Sequence, residues 1–476
     1  MKEERHGRGE LIRRLSAYIA ASGERELPPE VIHKAKHHIL DTLGAVLCGS
    51  KLKPGRLGAE FAAQQAGSPE AQCAGTPIRT TTINAAFAMA MMAHSDETDD
   101  SHERAGMHPG CAIVPAALAV AQREGAEGAR FIRGVVAGYD IGCRMTQALG
   151  VQNVRARALS LHGIGTNFGA AAAASSILGL REEALRFVWD YACQQDSGKY
   201  YWMRDRDHVE KAFVFAAMGA RNGVTSALLV QSGFTGVDDA FSGENNYFDS
   251  FGPGVNPELL IDSLGSRYEI QHTDIKKFSV GAPIQAPLDA LLILRARHGL
   301  APADVESMTV SVPDDRVNIV RDREMPDVDL RHVLAVALID GGMTFAASHD
   351  HERMKDPAVL ALRGRIALIG DPGLRTAKIK RGGIVEILTR DGASIREHVE
   401  LVRGRPANPM TDAEIEQKCT DLMQPALGAE RTKSLIDRIW NLEHVQNMRD
   451  LQPLLSPSPD GPATGHAPGY EARIRQ

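Results

Sequence analysis

"GIGTNFGAAAAASSILGL", residues 163–180, decides how the rest of the chain is read. Alanine fills every position from Ala170 to Ala174, and Gly165, Gly169 and Gly179 frame the run. Side chains this small let helix backbones approach one another, so the run reads as a tight helix–helix contact and not as a ligand loop. Its neighbours fit that reading. "TINAAFAMAMMAH" (82–94) is apolar nearly all round, the mark of an interior helix. "CAIVPAALAVAQ" (111–122) and "FIRGVVAGYDIGCRM" (131–145) have the same character. "PPEVIHKAKHHILDTLGAVLCGS" (28–50) opens with prolines, which suit a first helical turn, and repeats Ile32, Ile39, Leu43 and Leu47 at helical spacing. Helical patterning continues through "HVEKAFVFAAMGARNGVTSALLVQSG" (208–233).

Near residue 265 the pattern changes. "VESMTVSVP" (305–313) alternates and is rich in valine, so it predicts a strand. "AKIKRGGIVEILTRDGASIREHVELV" (377–402) predicts a hairpin turning at Asp391-Gly392. Helical pieces are expected at 283–298 and 330–347, and helix returns in "RPANPMTDAEIEQKCTDLM", where Thr411 and Glu414 have the spacing of a capping box. The expected architecture is mainly α with α+β. A large all-helical domain, discontinuous in sequence, spans 10–268 and returns at 405–452. A smaller α+β domain occupies 269–404. The tail at 456–476 is rich in Pro and Gly and reads as disordered. There is no internal repeat.

Composition narrows the function. The chain has 476 residues, enough for two domains, and a formal charge of -6 with no strong Lys/Arg cluster, which argues against a nucleic-acid partner. The charged N-terminus, "MKEERHGRGELIRR", lacks the apolar core of a signal peptide. The longest apolar run, "CAIVPAALAVA" (111–121), is about half a membrane span, so no membrane partner is expected. The six cysteines, Cys48, Cys73, Cys111, Cys143, Cys193 and Cys419, form no C-x-x-C pair. They read as reduced, buried thiols of a cytoplasmic protein and not as an iron–sulfur or zinc site.

Between two segments built for burial lies "AHSDETDDSHERAGMHPG" (93–110), with His94, His102, His108, Asp96, Glu97, Asp99, Asp100 and Glu103. The cluster offers metal-ligand types, but it matches no zinc spacing, and carboxylates beside histidines serve equally well as acid–base partners. No metal is expected. Asp99 and Asp100 read as holding the loop or capping the next helix.

Six patterns in order, "DDSHERAGMHPG", "GAAAAASSILGL", "ARNGVTSALLVQSGFTG", "APLDALL", "ALIDGGMT" and "NPMTDAEIEQK", resemble those of the MmgE/PrpD family, which includes 2-methylcitrate dehydratase, cis-aconitate decarboxylase and iminodisuccinate epimerase. The match runs from about residue 10 to 450. The resemblance implies that the α+β domain is a lid, that the protein is a homodimer, and that it uses no metal or organic cofactor. It also implies a small polycarboxylate substrate and chemistry at the carbon beside a carboxylate. Such chemistry needs a tunable acid–base group, cations for the carboxylates and a cover against water.

By the same resemblance the family's catalytic acid falls on Glu97, its hydroxyl on Ser101 and the His of its His-Pro pair on His108. Its second histidine falls on Ser160, with His162 two residues later, so either His162 takes the role or Ser160 occupies the place. The substrate-binding lysines fall on Lys211 and Lys276, and His208 lies one helical turn before Lys211. Departures from the family pattern are Ser279, Gly281 and Gln285, which stand where members carry Pro, Cys or His, and His. A decarboxylase tyrosine falls near Val320. These departures argue against cis-aconitate decarboxylation and weaken 2-methylcitrate as substrate. The implied activity is a cofactor-independent lyase of the dehydratase type, 2-methylcitrate dehydratase-like, acting on a hydroxy-polycarboxylate. The alternatives are an isomerase or epimerase of a small dicarboxylate and an inactive scaffold member.

Overall fold

The computed structural model of the protein describes residues 9–65, 67–376 and 382–457. The tail expected to be disordered lies outside the described residues from position 458 on, as do residues 377–381 at the start of the expected hairpin.

The first part is helix after helix. In order these are α1 (Glu10–Ser22), α2 (Pro29–Gly49), α3 (Lys53–Gln64), α4 (Thr82–Ala93), α5 (Gly110–Glu124) and α6 (Gly128–Leu149). They continue with α7 (Val151–Ala156), α8 (Leu161–Leu178), α9 (Glu182–Gln194), α10 (Val209–Ala212) and α11 (Met218–Gln231). A two-residue antiparallel pair, β1 (Ala71–Gln72) with β2 (Arg79–Thr80), precedes α4. Helix α8 is the centre. Every residue from Leu161 to Ile177 is buried, and α5, α6 and α11 pack around it. Missing side chains make that possible. A Cβ on Gly142 of α6 would stand 2.6 Å from the Gly165 carbonyl oxygen, and one on Gly223 of α11 would stand 2.5 Å from the Ala171 nitrogen. The small residues of the quoted run thus serve backbone-to-backbone packing on two sides.

Helix α10 does not continue smoothly into α11. Phe213–Ala217 form a π-helical turn between them. Taken together, Val209–Gln231 are long and apolar enough to cross a membrane, which the reading of short apolar runs missed; 72% of the most apolar window is buried against other helices of this fold.

The α+β part contains α12 (Gln285–His298), β3 (Val305–Pro313), α13 (Val317–Val320), α14 (Leu330–Asp340), α15 (Phe345–Ser348), α16 (Pro357–Arg363), β4 (Ile366–Asp371), α17 (Pro372–Thr376), β5 (Gly383–Thr389) and β6 (Ser394–Val399). The sheet order is β4-β3-β5-β6, with β3 parallel to β4 and antiparallel to β5. Strands β5 and β6 form the hairpin, and Gly392 at its turn takes φ +89°, a left-handed conformation that glycine adopts without a Cβ clash. Helices α12 and α14 cover the sheet and share an apolar core with it that includes Leu288, Leu291, Val310, Val333 and Ile387. The single helix expected at 330–347 is broken: Gly341 ends α14 at φ 85°, and the Thr344 side chain caps α15. Strand β4 had not been anticipated. The chain then returns as α18 (Asp412–Leu427) and α19 (Ala429–Trp440), which pack on α2, with the Thr411–Glu414 capping box formed.

A charged contact from beyond α15 also ties the α+β part to the loop at 93–110. His349 Nε2, just after α15, lies 3.0 Å from the Asp96 carboxylate. Burial opposes charge on His349, but the Asp96 contact and nearby Asp327 outweigh it and push its pKa up to about 9.

Two predictions follow from this packing. Gly142→Ala should overpack the α6–α8 contact and destabilise the protein by about 1–3 kcal/mol, read as a lower urea midpoint; an unchanged midpoint would show that the contact yields. The His349–Asp96 pair stabilises only while His349 is protonated. Because its folded pKa is raised, that stability is complete below the ordinary value of 6.5 and is lost as pH rises through about 9. The melting-temperature gap between wild type and His349→Gln should therefore be widest below pH 6.5 and shrink through pH 9.

Candidate active site

A cavity of about 180 Å³ opens between the helical bundle and the α+β part. It is smaller than the roughly 300–1,000 Å³ of drug-sized pockets, a size suited to a small acid. Its wall includes Glu97, Ser101 and His108 from the loop, His162 from the start of α8, and His208, Lys211 and Phe215 from the α10 region. Gly281, Arg316 and Arg323 come from the α+β part. Lys276 stands behind this wall and reaches Glu97.

The loop is held by its own charges. Asp100 accepts hydrogen bonds from the Gly110 N–H (2.9 Å), the Tyr139 hydroxyl (2.5 Å) and His38 Nδ1 (2.7 Å). It therefore tethers the start of α5 from within the core. Asp99 accepts from His94 Nδ1 (2.8 Å) and His108 Nδ1 (3.2 Å). Burial alone would raise its pKa, but the two rings hold it well below the usual carboxylate range. His102 bonds Glu269 at 3.0 Å through Nε2.

Glu97 meets three bases. Lys211 Nζ is in close contact with Oε1, Lys276 Nζ lies 3.2 Å from Oε2, and His208 Nε2 lies 3.9 Å from Oε1. Lys276 also donates to the Glu97 carbonyl at 2.8 Å. The ammonium groups overcome burial and hold Glu97 well below its ordinary pKa, while Lys276 is raised in return. His208 takes φ 64°, uncommon for a residue with a side chain, and this turn places it at the N-terminus of α10 beside Lys211. The Asp205 carboxylate accepts the Lys211 N–H at 2.8 Å and fixes that helix start.

His108 and His162 differ in kind. His108 gives Nδ1–H to Asp99, which leaves the Nε2 lone pair as its acceptor. His162 Nδ1 instead accepts the backbone N–H of His108 (3.3 Å), so its neutral ring carries hydrogen on Nε2. Their centroids are 5.4 Å apart. Burial lowers the pKa of both, and that of His162 most strongly, so neutral rings prevail near pH 7. Phe215, on the π-helical turn, stacks on His162 at 3.4 Å and on His94 at 4.5 Å, and Trp202 meets it edge-on at 4.6 Å. Neither aromatic was singled out from sequence, because one Phe in an apolar helix carries no pattern of its own.

Of the expected site residues, Glu97, Ser101, His108, His162, His208 and Lys211 meet at this cavity, and Lys276 joins through Glu97. Ser160 does not. It is fully buried, and its hydroxyl caps α8 by accepting the Gly163 N–H. Of the two positions left open, His162 is therefore the one that faces the cavity. Gln285 is also structural: its amide bonds the backbone of Phe278 and Val280. Gly281 leaves room at the wall, since a Cβ there would meet nothing closer than 3.8 Å.

His94, Glu97 and His208 bring possible metal ligands within 4.8 Å of one another, as do His94, Asp99 and Cys111. The donor chemistry is poor for a cation. Glu97 already faces two ammonium groups, and burial pushes the Cys111 thiol well above its usual pKa.

The chain is similar to known proteins over most of its length. A cis-aconitate decarboxylase-like protein of Aspergillus oryzae is 23% identical over 94% of this chain and 98% of its own. Human cis-aconitate decarboxylase is 24% identical over 91% of this chain and 92% of its own. The mouse cis-aconitate decarboxylase is 23% identical over 89% of each. Residues 13–260 match the MmgE/PrpD N-terminal domain and residues 278–442 the MmgE/PrpD C-terminal domain, so the loop, His108, His162 and the α+β wall all fall within matched regions, and the chain belongs to the MmgE/PrpD family.

Proposed function

We propose that the protein is a cofactor-independent lyase of the dehydratase type that acts on a hydroxy-polycarboxylate. The observation that carries this reading is the pair of neutral histidines of opposite tautomer, 5.4 Å apart, beside two lysines. His108 Nε2 takes a proton from the carbon next to a substrate carboxylate. Asp99 holds that ring in the acting tautomer and stabilises it once it is charged. Lys211 binds the carboxylate and the negative charge that develops on it, and Lys276 adds positive charge from behind the wall, where it holds Glu97. His162 Nε2–H gives its proton to the departing hydroxyl, so elimination releases water and leaves a carbon–carbon double bond. Ser101 lines the same wall and offers a hydroxyl to the substrate.

A second reading, decarboxylation, draws support from the named activities of the relatives. It shares the carbanion-like intermediate, and so does the isomerase or epimerase alternative, in which the same base returns the proton. Citrate-like, malate-like and tartrate-like acids separate the three. New ultraviolet absorbance of a conjugated acid supports elimination, carbon dioxide release from cis-aconitate supports decarboxylation, and loss of optical rotation without a new chromophore supports epimerisation. Turnover of none of these acids would refute the lyase reading and leave the scaffold alternative.

With a substrate in hand, His108→Gln should lower turnover by roughly 10²–10⁴-fold while the protein stays folded. Lys211→Met should weaken binding as well as turnover. Because burial lowers the His108 pKa in the ligand-free protein, the acid limb of the kcat/KM profile should fall below pH 6.5, with the plateau on the alkaline side. Near-normal turnover in His108→Gln would remove it as the base.

We also propose a homodimer formed through the helical part. A dimer mass by light scattering at micromolar concentration is expected, and a monomer mass would contradict it.

A further inference from the structure

The inner end of the cavity is electrically balanced. Lys211 and Lys276 face Glu97 and Asp99, two cations against two carboxylates, all in contact within 3.8 Å. That end offers little net charge to a substrate with several carboxylates. The outer wall differs. Arg155 from α7 lines it, and so do Arg316 and Arg323, which flank α13. Among the described residues the Arg155 and Arg323 guanidinium groups make no ion pair or hydrogen bond, and Arg155 Nε is buried without a partner. Arg316 has only Asp315 at 3.6 Å, and that carboxylate is 48% exposed. The acids on the same wall are engaged elsewhere: Glu103 with Arg405, and Asp205 with the Lys211 N–H.

All three arginine side chains are half-buried. A guanidinium left unpaired on a cavity wall is open to an anion, and its planar fork fits a carboxylate bidentately. We propose that Arg155, Arg316 and Arg323 bind a second carboxylate of the substrate, remote from the carbon that reacts at His108. The inference deepens the polycarboxylate reading above and rests on it. Because Arg155 belongs to the helical part and the other two belong to the α+β part, the ligand carboxylate bridges both walls. The substrate class is thereby narrowed to acids whose extra carboxylate lies beyond the reacting end.

Calorimetric titration with two unreactive acids tests this. Tricarballylate carries three carboxylates, and methylsuccinate is the same skeleton without one terminal carboxylate. Wild type should bind tricarballylate about tenfold tighter. Arg155→Met and Arg323→Met should each remove that preference while leaving methylsuccinate binding unchanged. Arg323→Lys should restore part of it, and circular dichroism should show every variant folded. Lys211→Met should weaken both acids alike. If both acids bind wild type equally, or if the arginine variants keep the preference or weaken both acids together, the assignment is overturned while the polycarboxylate reading stands. If neither acid binds wild type at millimolar concentration, both fall.

Discussion

Burying the loop at 93–110 is the constraint around which the rest is arranged. A charge taken out of water is costly unless it is paired, and this loop carries more ionisable groups than it can pair internally. Its partners come from the whole chain. His38 and Tyr139 bond Asp100, Glu269 bonds His102, Lys276 reaches Glu97, and His349 meets Asp96. Lys418, from the returning helix α18, donates to the Thr98 carbonyl (3.1 Å) and to Asp41. The return of the chain to the first helices therefore does more than close the apolar core on α2. It supplies the cation that holds the middle of the loop.

The same pairing sets which nitrogen of each cavity ring is free. A histidine's role depends on which nitrogen is engaged by the scaffold. Asp99 takes the Nδ1–H of His108, whereas the His108 backbone gives its own N–H to Nδ1 of His162. One ring is left to accept and the other to donate, although both are buried neutral imidazoles. Phe215 fixes the planes of His162 and His94 by stacking, and it can do so because the π-helical turn places it between them. π-helical turns of this kind occur often at functional sites. Here the turn aims a side chain that a regular helix would point elsewhere.

What the sequence made legible follows period and punctuation. Alternation in residues 305–313, Asp391-Gly392 and the Thr411–Glu414 box each appear in the structure because their signals are local. Strand β4 was not legible. It is a short edge strand whose parallel pairing with β3 depends on residues far away in sequence. The π-helical turn was hidden because Phe213–Ala217 are apolar in any helical register. Most of the candidate site was legible by resemblance, since the six patterns carried its residues in order. Ser160 shows where counting fails: an alignment by spacing cannot distinguish a capping hydroxyl from a residue two positions further on that faces the cavity. The cavity arginines were invisible for a different reason. A lone arginine in a loop looks like surface, and only the shared wall brings Arg155, Arg316 and Arg323 together.

Balanced charge at the inner end bears on how the base works. In the ligand-free protein, burial and the nearby Lys276 ammonium lower the His108 pKa against the pull of Asp99. This keeps the ring neutral and ready to accept a proton, but it also makes the ring a weaker base. A carboxylate brought into the cavity adds negative potential beside the imidazole, and nearby negative charge favours its protonated form. In the proposed reaction, binding thus raises the basicity of His108 when a proton is to be taken. Glu97 sharpens the effect, because it screens the two lysines that would otherwise oppose protonation. The charge of the proposed substrate is the same charge that would tune the proposed base, which couples substrate selection to proton transfer.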